Sequence, residues 1–188
     1  MLTVTSPAVS QVDGTTDRIL DAAYEELLHF GLKGISIEDI AKRTGVARIT
    51  IYRRFANKDD LLAAVALREG QRMFARVDAA IDPTKATDAQ LVEGFAVMLT
   101  AVRNHPIIKR IVDAEPEVAA ALLATHGSTV IGFGRDFVAA RLGVAPAVAE
   151  VMVRLSASFV LSPDSAIPLK TTADAKRFAQ TYLVPMLP

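Results

Sequence analysis

SIEDIAKRTGVARITIYRRFANKDDLL, residues 36–62, is the stretch on which the fold of this chain turns. Ser36 is a capping residue followed by Glu38 and Asp39, so the first helical turn carries negative charge where the helix dipole favours it. Ile37, Ile40 and Ala41 fall on one face, and the small Ala41 allows a second helix to cross closely. Gly45 supplies the turn, because a residue without Cβ takes a left-handed conformation at little cost after a short helix. The second helix, about residues 47–55, has Ile51 and Phe55 at i and i+4 to bury, leaving Arg48, Ile49, Thr50, Tyr52 and Arg53 to reach outward. Two short helices joined in this way predict a helix-turn-helix.

Charge sharpens that reading. Lys42, Arg43, Arg48, Arg53, Arg54 and Lys58 lie within 17 residues that contain no Asp or Glu, inside a chain whose formal net charge is zero. A cationic helix with Thr and Tyr hydroxyls interleaved is the electrostatic footprint of a nucleic-acid binder.

Thr44 through Leu62, TGVARITIYRRFANKDDLL, resembles the DNA-binding domain of the tetracycline-repressor (TetR) family of bacterial transcription regulators. The likeness runs back through Phe30, Gly31 and Leu32 to a helix beginning near Thr16. The Gly-Val turn, the Thr50-Ile51-Tyr52 step, Phe55 and the Asn57-Lys58 pair carry it. The resemblance implies that Arg48, Thr50 and Arg53 face the major groove and that Tyr52 and Lys58 hold phosphates. Ser36 and Ala47, at the starts of the two helices, complete the DNA-facing set. Ala47 departs from the family, which often has Ser or Thr there, so a hydroxyl able to cap the helix or touch a phosphate is missing.

Outward from this stretch, composition bounds the rest. A chain of 188 residues with 51% hydrophobic and 22% charged residues is globular and large enough for one or two cores. It has no cysteine, which removes disulfides and thiolate metal sites and suits a reducing cytoplasm. Residues 1–14 hold no Lys or Arg and no helical period, so they read as a loose arm and not as a secretory signal. The longest uncharged run, Val118 to Gly134, is interrupted by Thr125, His126, Gly127, Ser128 and Thr129 and falls short of a membrane span.

Helix 1 is predicted from Thr15 or Thr16 to Gly31, with Ile19, Ala23, Leu27 and Phe30 on one buried stripe and the acids Asp17, Asp21, Glu25 and Glu26 facing away from nucleic acid. Asn57 caps a long helix reaching toward Ile81. Pro83 to Thr87 breaks the pattern, and further helices are predicted over 88–104, after Pro106, after Pro116, and over 128–142, 146–161 and 173–184. No stretch alternates with period two. The expectation is an all-α chain: an arm at 1–14, a three-helix DNA-binding domain at 15–57, a connecting helix at 58–82, and a helical domain at 83–188 for dimerisation and effector binding.

Within that last domain the helix over 146–161 is apolar nearly all round and must be covered on more than one side. With the last helix it supplies the expected homodimer interface, Val148, Met152, Phe159, Phe178 and Tyr182; the resemblance, in which the last two long helices make the dimer, implies the same. The resemblance also implies a ligand pocket in the middle of this domain, for which Phe95, Met98, Leu99, Arg103, His105 and Arg154 are candidates. Arg154, four residues after Glu150, also has a ready structural partner. The three histidines, His29, His105 and His126, show no metal-ligand spacing, and no phosphate loop or nucleophile elbow appears. No catalytic residue, metal or cofactor is therefore assigned. The expected partners are double-stranded DNA carrying an inverted-repeat operator, a second copy of the chain and an unknown small-molecule effector. A helical ligand-binding or scaffold protein without DNA binding, or an enzyme whose site is assembled from distant residues, remains open as an alternative.

Overall fold

The computed structural model describes residues 14–114, 117, 131–161 and 165–188, and the described residues contain helices and no strand. In chain order they form α1 (Gly14–Gly34), α2 (Ile37–Thr44), α3 (Arg48–Arg54), α4 (Lys58–Ala80), α5 (Thr87–Arg103), α6 (Pro106–Ala114), α7 (131–142), α8 (Pro146–Leu161) and α9 (Thr172–Phe178). Residues 1–13 of the arm expected at 1–14, the helix expected after Pro116 and the start of the one expected at 128 lie outside the described residues, and Gly14 belongs to α1. The chain divides into two compact units between Ala66 and Leu67, inside α4. No helix of the described residues is long and apolar enough to cross a membrane.

In the first unit α1, α2 and α3 pack around aliphatic side chains. Ile19, Ala23, Ile40, Ile51 and Leu61 are completely covered. Helix α1 does not stop at Gly31, as its sequence predicts. It bends there, with Gly31 at φ 71°, ψ −175°, and runs one more turn to Gly34. The left-handed φ is open to glycine because no Cβ clashes. Buried Gly31 takes the inward position at this level, so Phe30, expected on the buried stripe, is 56% exposed.

The second unit has an aromatic centre. Phe178 of α9 is 3% exposed and stacks on Phe95 of α5 at 5.3 Å, meets Phe159 of α8 edge-on at 5.1 Å and touches Tyr182 at 5.1 Å. Leu91, Val92, Ala96, Leu99, Met152, Leu169, Ala175, Ala179 and Leu183 close around it. A capping box starts α9: the Thr171 hydroxyl accepts from the Asp174 N–H at 3.1 Å, and the Asp174 carboxylate accepts from the Thr171 N–H at 2.9 Å. After Phe178 the helix widens into a π turn over Ala179–Leu183 and tightens into a 3₁₀ turn over Val184–Met186. Pro185 has no N–H for the ladder, which is why the single helix expected to Val184 gives way to two irregular turns.

Candidate nucleic-acid interface

The helix-turn-helix is built by local bonds that the sequence predisposes. The Ser36 hydroxyl accepts from the Asp39 N–H at 3.1 Å and donates to the Asp39 carboxylate at 2.6 Å. That donation, with Lys42 second, holds the Asp39 carboxyl below the usual carboxylate range. Thr44 closes the other end of α2, its hydroxyl donating to the Ile40 carbonyl at 2.8 Å and accepting from the Val46 N–H at 3.3 Å. Gly45 follows at φ 69°, the left-handed C-cap its position requires. Ala47 precedes α3 without any side-chain cap, as the missing hydroxyl dictates. Buried Ile51 fixes the rotation of α3, and Phe55, expected to be buried beside it, is half-buried at the C-cap.

With Ile51 turned inward, Arg48, Ile49, Tyr52 and Arg53 are exposed and Thr50 is half-buried. Glu38, Ala41, Lys42, Gly45, Val46, Ala47 and Arg48 border a shallow open concavity beside the turn.

The cationic run is less free than its sequence suggests, because acids from elsewhere fold back onto it. Arg43 contacts one oxygen of Glu26 through two guanidinium nitrogens, at 3.0 and 2.8 Å. Lys42 lies 3.7 Å from Glu38 and 3.4 Å from Asp39, and Arg48 lies 3.7 Å from Glu38. Arg54 donates to the Thr16 hydroxyl at 3.0 Å. The Lys58 ammonium donates to the carbonyls of Leu32 and Ile35 at 3.2 and 3.1 Å, which ties the start of α4 to the end of α1. An ammonium has three N–H donors, so one remains to Lys58 for a phosphate. Among the described residues, Arg53 is the cation of this run that no side chain or carbonyl engages.

Two residues gain a local role here. Glu26, expected with the other acids of α1 to face away from nucleic acid, is 3% exposed and receives Arg43. A carboxylate at an apolar period, beside Ala22, Ala23 and Leu27, was the sequence signal for that partner. Ser36 gives its only proton to Asp39, so its role is to cap α2, and a phosphate contact by that hydroxyl requires breaking this bond.

In the second unit the residues expected to hold an effector differ in burial. Phe95 and Leu99 belong to the core around Phe178. Met98 and Arg103 are half-buried on α5. Buried His105 precedes α6. Its Nδ1 accepts from the Ile108 N–H at 3.5 Å, which leaves the proton on Nε2, 3.4 Å from the Glu69 carboxylate. Glu69 also receives Arg72 at 2.7 Å. Arg154 pairs with Glu150 at 2.7 Å, the structural partner that its i+4 spacing offered. Among the described residues no group of three or more His, Asp or Glu side chains has metal-ligating placement.

The expected dimer residues also divide. Met152 and Phe178 are buried within the single chain and belong to the core of the second unit. Val148 and Phe159 pack against the same core, and Tyr182, with Val151 of α8, is exposed.

A family model described as bacterial regulatory proteins, tetR family, matches residues 19–65, which hold all of α2 and α3 with most of α1 and the start of α4. Residues 19–65 carry the DNA-binding domain of that family. It is 26% identical over 162 residues to the HTH-type transcriptional regulator AlkX of Mycobacterium tuberculosis, covering 80% of this chain and 76% of that one. Among solved structures, the TetR family repressor AlkX from Dietzia sp. matches with a TM-score of 0.69 at 21% identity, over 92% of this chain and 94% of that one. The multidrug binding protein EbrR matches with a TM-score of 0.62 at 23% identity, over 94% and 96%. At these identities the two structures establish the fold. A chain with this domain and these relatives is a helix-turn-helix DNA-binding transcription regulator.

Proposed function

We propose that the protein is a cytoplasmic repressor that binds an inverted-repeat operator as a homodimer and releases it when a small apolar molecule occupies the C-terminal domain. The observation that carries the reading is the outward face of α3. One buried side chain, Ile51, orients the helix, and Arg48, Tyr52 and Arg53 stand exposed around an open approach. Arg53, free of intramolecular partners among the described residues, is the base reader in this proposal. Arg48 joins it by releasing a solvent-exposed ion pair of small worth, and Thr50 lies beside them. Tyr52 and the remaining Lys58 N–H serve phosphates, with Ala47 giving the backbone close access. Tyr182 and Val151 are the apolar side chains available to a second copy.

The effector reading is supported by the relatives. The Dietzia AlkX is described as implicated in biodegradation of n-alkanes, and EbrR as multidrug binding. In this chain Met98, Arg103 and His105 are the candidates for an effector contact that lie outside the core around Phe178. Half-buried Phe74, which meets Phe133 at 5.2 Å and Phe137 at 4.4 Å, adds an aromatic wall in the same unit.

The test is selection of duplexes from a random pool by the full-length protein, followed by titration on the enriched and a scrambled site at several salt concentrations. The expected site is an inverted repeat with half-sites about 34–36 Å apart or a multiple of that. Arg53→Ala is expected to lose affinity on the enriched site and little on the scrambled one, so that preference relaxes. Equal losses on both would remove its reading role. Addition of linear alkanes and alkanols to the complex should release the DNA; a pool that never enriches would overturn the proposal at its base.

A further inference from the structure

One side chain on the outer face of α3 is not explained by charge. Ile49 is 75% exposed, above Phe30, Val151, Tyr52, Tyr182 and Leu67, the other exposed large hydrophobic side chains of the described residues. Residues 49, 52 and 53 stand at i, i+3 and i+4 and so share one stripe. Ile51, two residues on, points about 200° away and is completely covered. The exposure of Ile49 is thus fixed by the same burial that orients the whole helix. Helix propensity does not call for it either, since a β-branched residue is a middling helix former.

We infer that Ile49 is a specificity residue that packs against the 5-methyl group of a thymine in the major groove, beside the base edge addressed by Arg53. The inference rests on the DNA-binding reading above. Of the four bases, thymine alone presents an apolar group at its major-groove edge, so an apolar side chain set among cations selects it. The surroundings of Ile49 favour a polyanion over a protein partner. Arg48 and Arg53 flank it, and no carboxylate lies between Lys42 and Lys58 in the sequence. The apolar surface is also too small for a stable protein interface, which needs about 800 Å² per partner; here Ile49 and Tyr52 are its large apolar members. Val46 is half-buried and Ile51 buried, so beyond Tyr52 and the small Ala47 no aliphatic side chain of the turn or of α3 widens the patch.

The experiment uses the full-length protein and the site enriched from a random pool. Each thymine is replaced singly by deoxyuridine, which keeps every hydrogen-bonding group and removes only the methyl. Wild-type protein is expected to lose affinity about fourfold at one thymine per half-site, the worth of one buried methyl group. Ile49→Ala should bind the thymine and deoxyuridine duplexes equally, at about the level of wild type on deoxyuridine, with an unchanged melting temperature because the side chain is exposed. Ile49→Val, which keeps a branched apolar tip, should retain most of the discrimination. The inference is overturned if every thymine tolerates deoxyuridine, or if Ile49→Ala loses as much as wild type at the same position. A change in sedimentation of Ile49→Ala with unaltered DNA affinity would overturn it in favour of a self-association face. Failure to enrich any site would sink the DNA-binding reading itself, an outcome separate from a site bound without methyl discrimination.

Discussion

In the N-terminal unit the covered side chains are Ile19, Ile40, Ile51 and Leu61, with one carboxylate, Glu26, held among them by Arg43. In the C-terminal unit the centre is Phe178, with Phe95 and Phe159 against it, and its carboxylates pair outside that aromatic centre, half-buried Glu93 with Lys176 at 2.7 Å and Glu69 with His105 at 3.4 Å. Both units use helix caps, but the small one also sets a directional ion pair into its core, whereas the centre of the larger one is held by apolar area, which is not directional. Directional bonds suit a domain whose task is to hold α3 in one orientation, since Arg53 is useful only at a fixed place relative to a base. Non-directional packing ties a domain less tightly to one side-chain arrangement, which suits a domain proposed to admit a guest.

The largest expected effect separates the two units. Phe178→Ala removes a ring buried among three others and should cost the C-terminal unit about 3–5 kcal/mol. Hydrogen exchange resolved by peptide should show lost protection in α5, α8 and α9, with α1 to α3 keeping theirs. Equal loss in α1 to α3 would mean that the units do not unfold separately, and the contrast between their cores would then have no energetic meaning.

A smaller effect probes the directional core. The partners of the Glu26–Arg43 pair are not equivalent: Glu26 is buried, whereas the Arg43 side chain is 45% exposed. Arg43→Ala leaves a carboxylate in the core without its cation and should cost about 1–3 kcal/mol. Glu26→Gln leaves an arginine that water can reach, so it should cost less. Chemical denaturation of both variants gives the order; the reverse order would show that Arg43 contributes through packing of its stem.

This contrast also explains what was legible in the sequence. Ser36, Gly45 and Asn57 act on backbone groups within four residues, so their spacing alone located α2, the turn and the start of α4. The Asp60 N–H indeed donates to the Asn57 side chain at 2.8 Å. Glu26 with Arg43, and Lys58 with the carbonyls of Leu32 and Ile35, join residues 17 to 26 apart. The apolar position of Glu26 hints that it needs a partner, but nothing local names either pair, because they exist only once α1 has packed against α2 and met the start of α4. The same limit applies to Phe178. An apolar stripe states that a helix is covered, and whether by its own chain or by a second copy is decided by tertiary packing. Ile49 is the intermediate case: periodicity turned it outward, and only its exposure among cations gave the outward position a meaning.

The smallest effect compares the two units through a device they share. Each has a helix whose third residue is an aspartate bonded to the cap, Asp39 with Ser36 and Asp174 with Thr171. The Asp39 carboxyl is held below the usual range first by the Ser36 hydroxyl, and the Asp174 carboxyl first by the Thr171 N–H. A carboxyl whose folded pKa lies below its unfolded one stabilises the fold above the unfolded value, and that contribution disappears as pH falls through the folded value. Both helices should therefore fray at their starts in acid. Asp39→Asn and Asp174→Asn should be less stable than wild type near neutrality and equal to it in acid. The two differ in what protonation leaves behind. A protonated Asp39 can still receive the Ser36 proton on its second oxygen, and Ser36 keeps its own bond from the Asp39 N–H. A protonated Asp174 weakens the acceptor of a backbone N–H that has no other partner in its capping box. The pH-dependent loss should accordingly be larger for α9 than for α2, read as amide exchange at the first turn of each helix between neutral pH and about pH 3. A larger loss at α2 would mean that hydroxyl donation to Asp39 stabilises its helix more than the reciprocal capping box does.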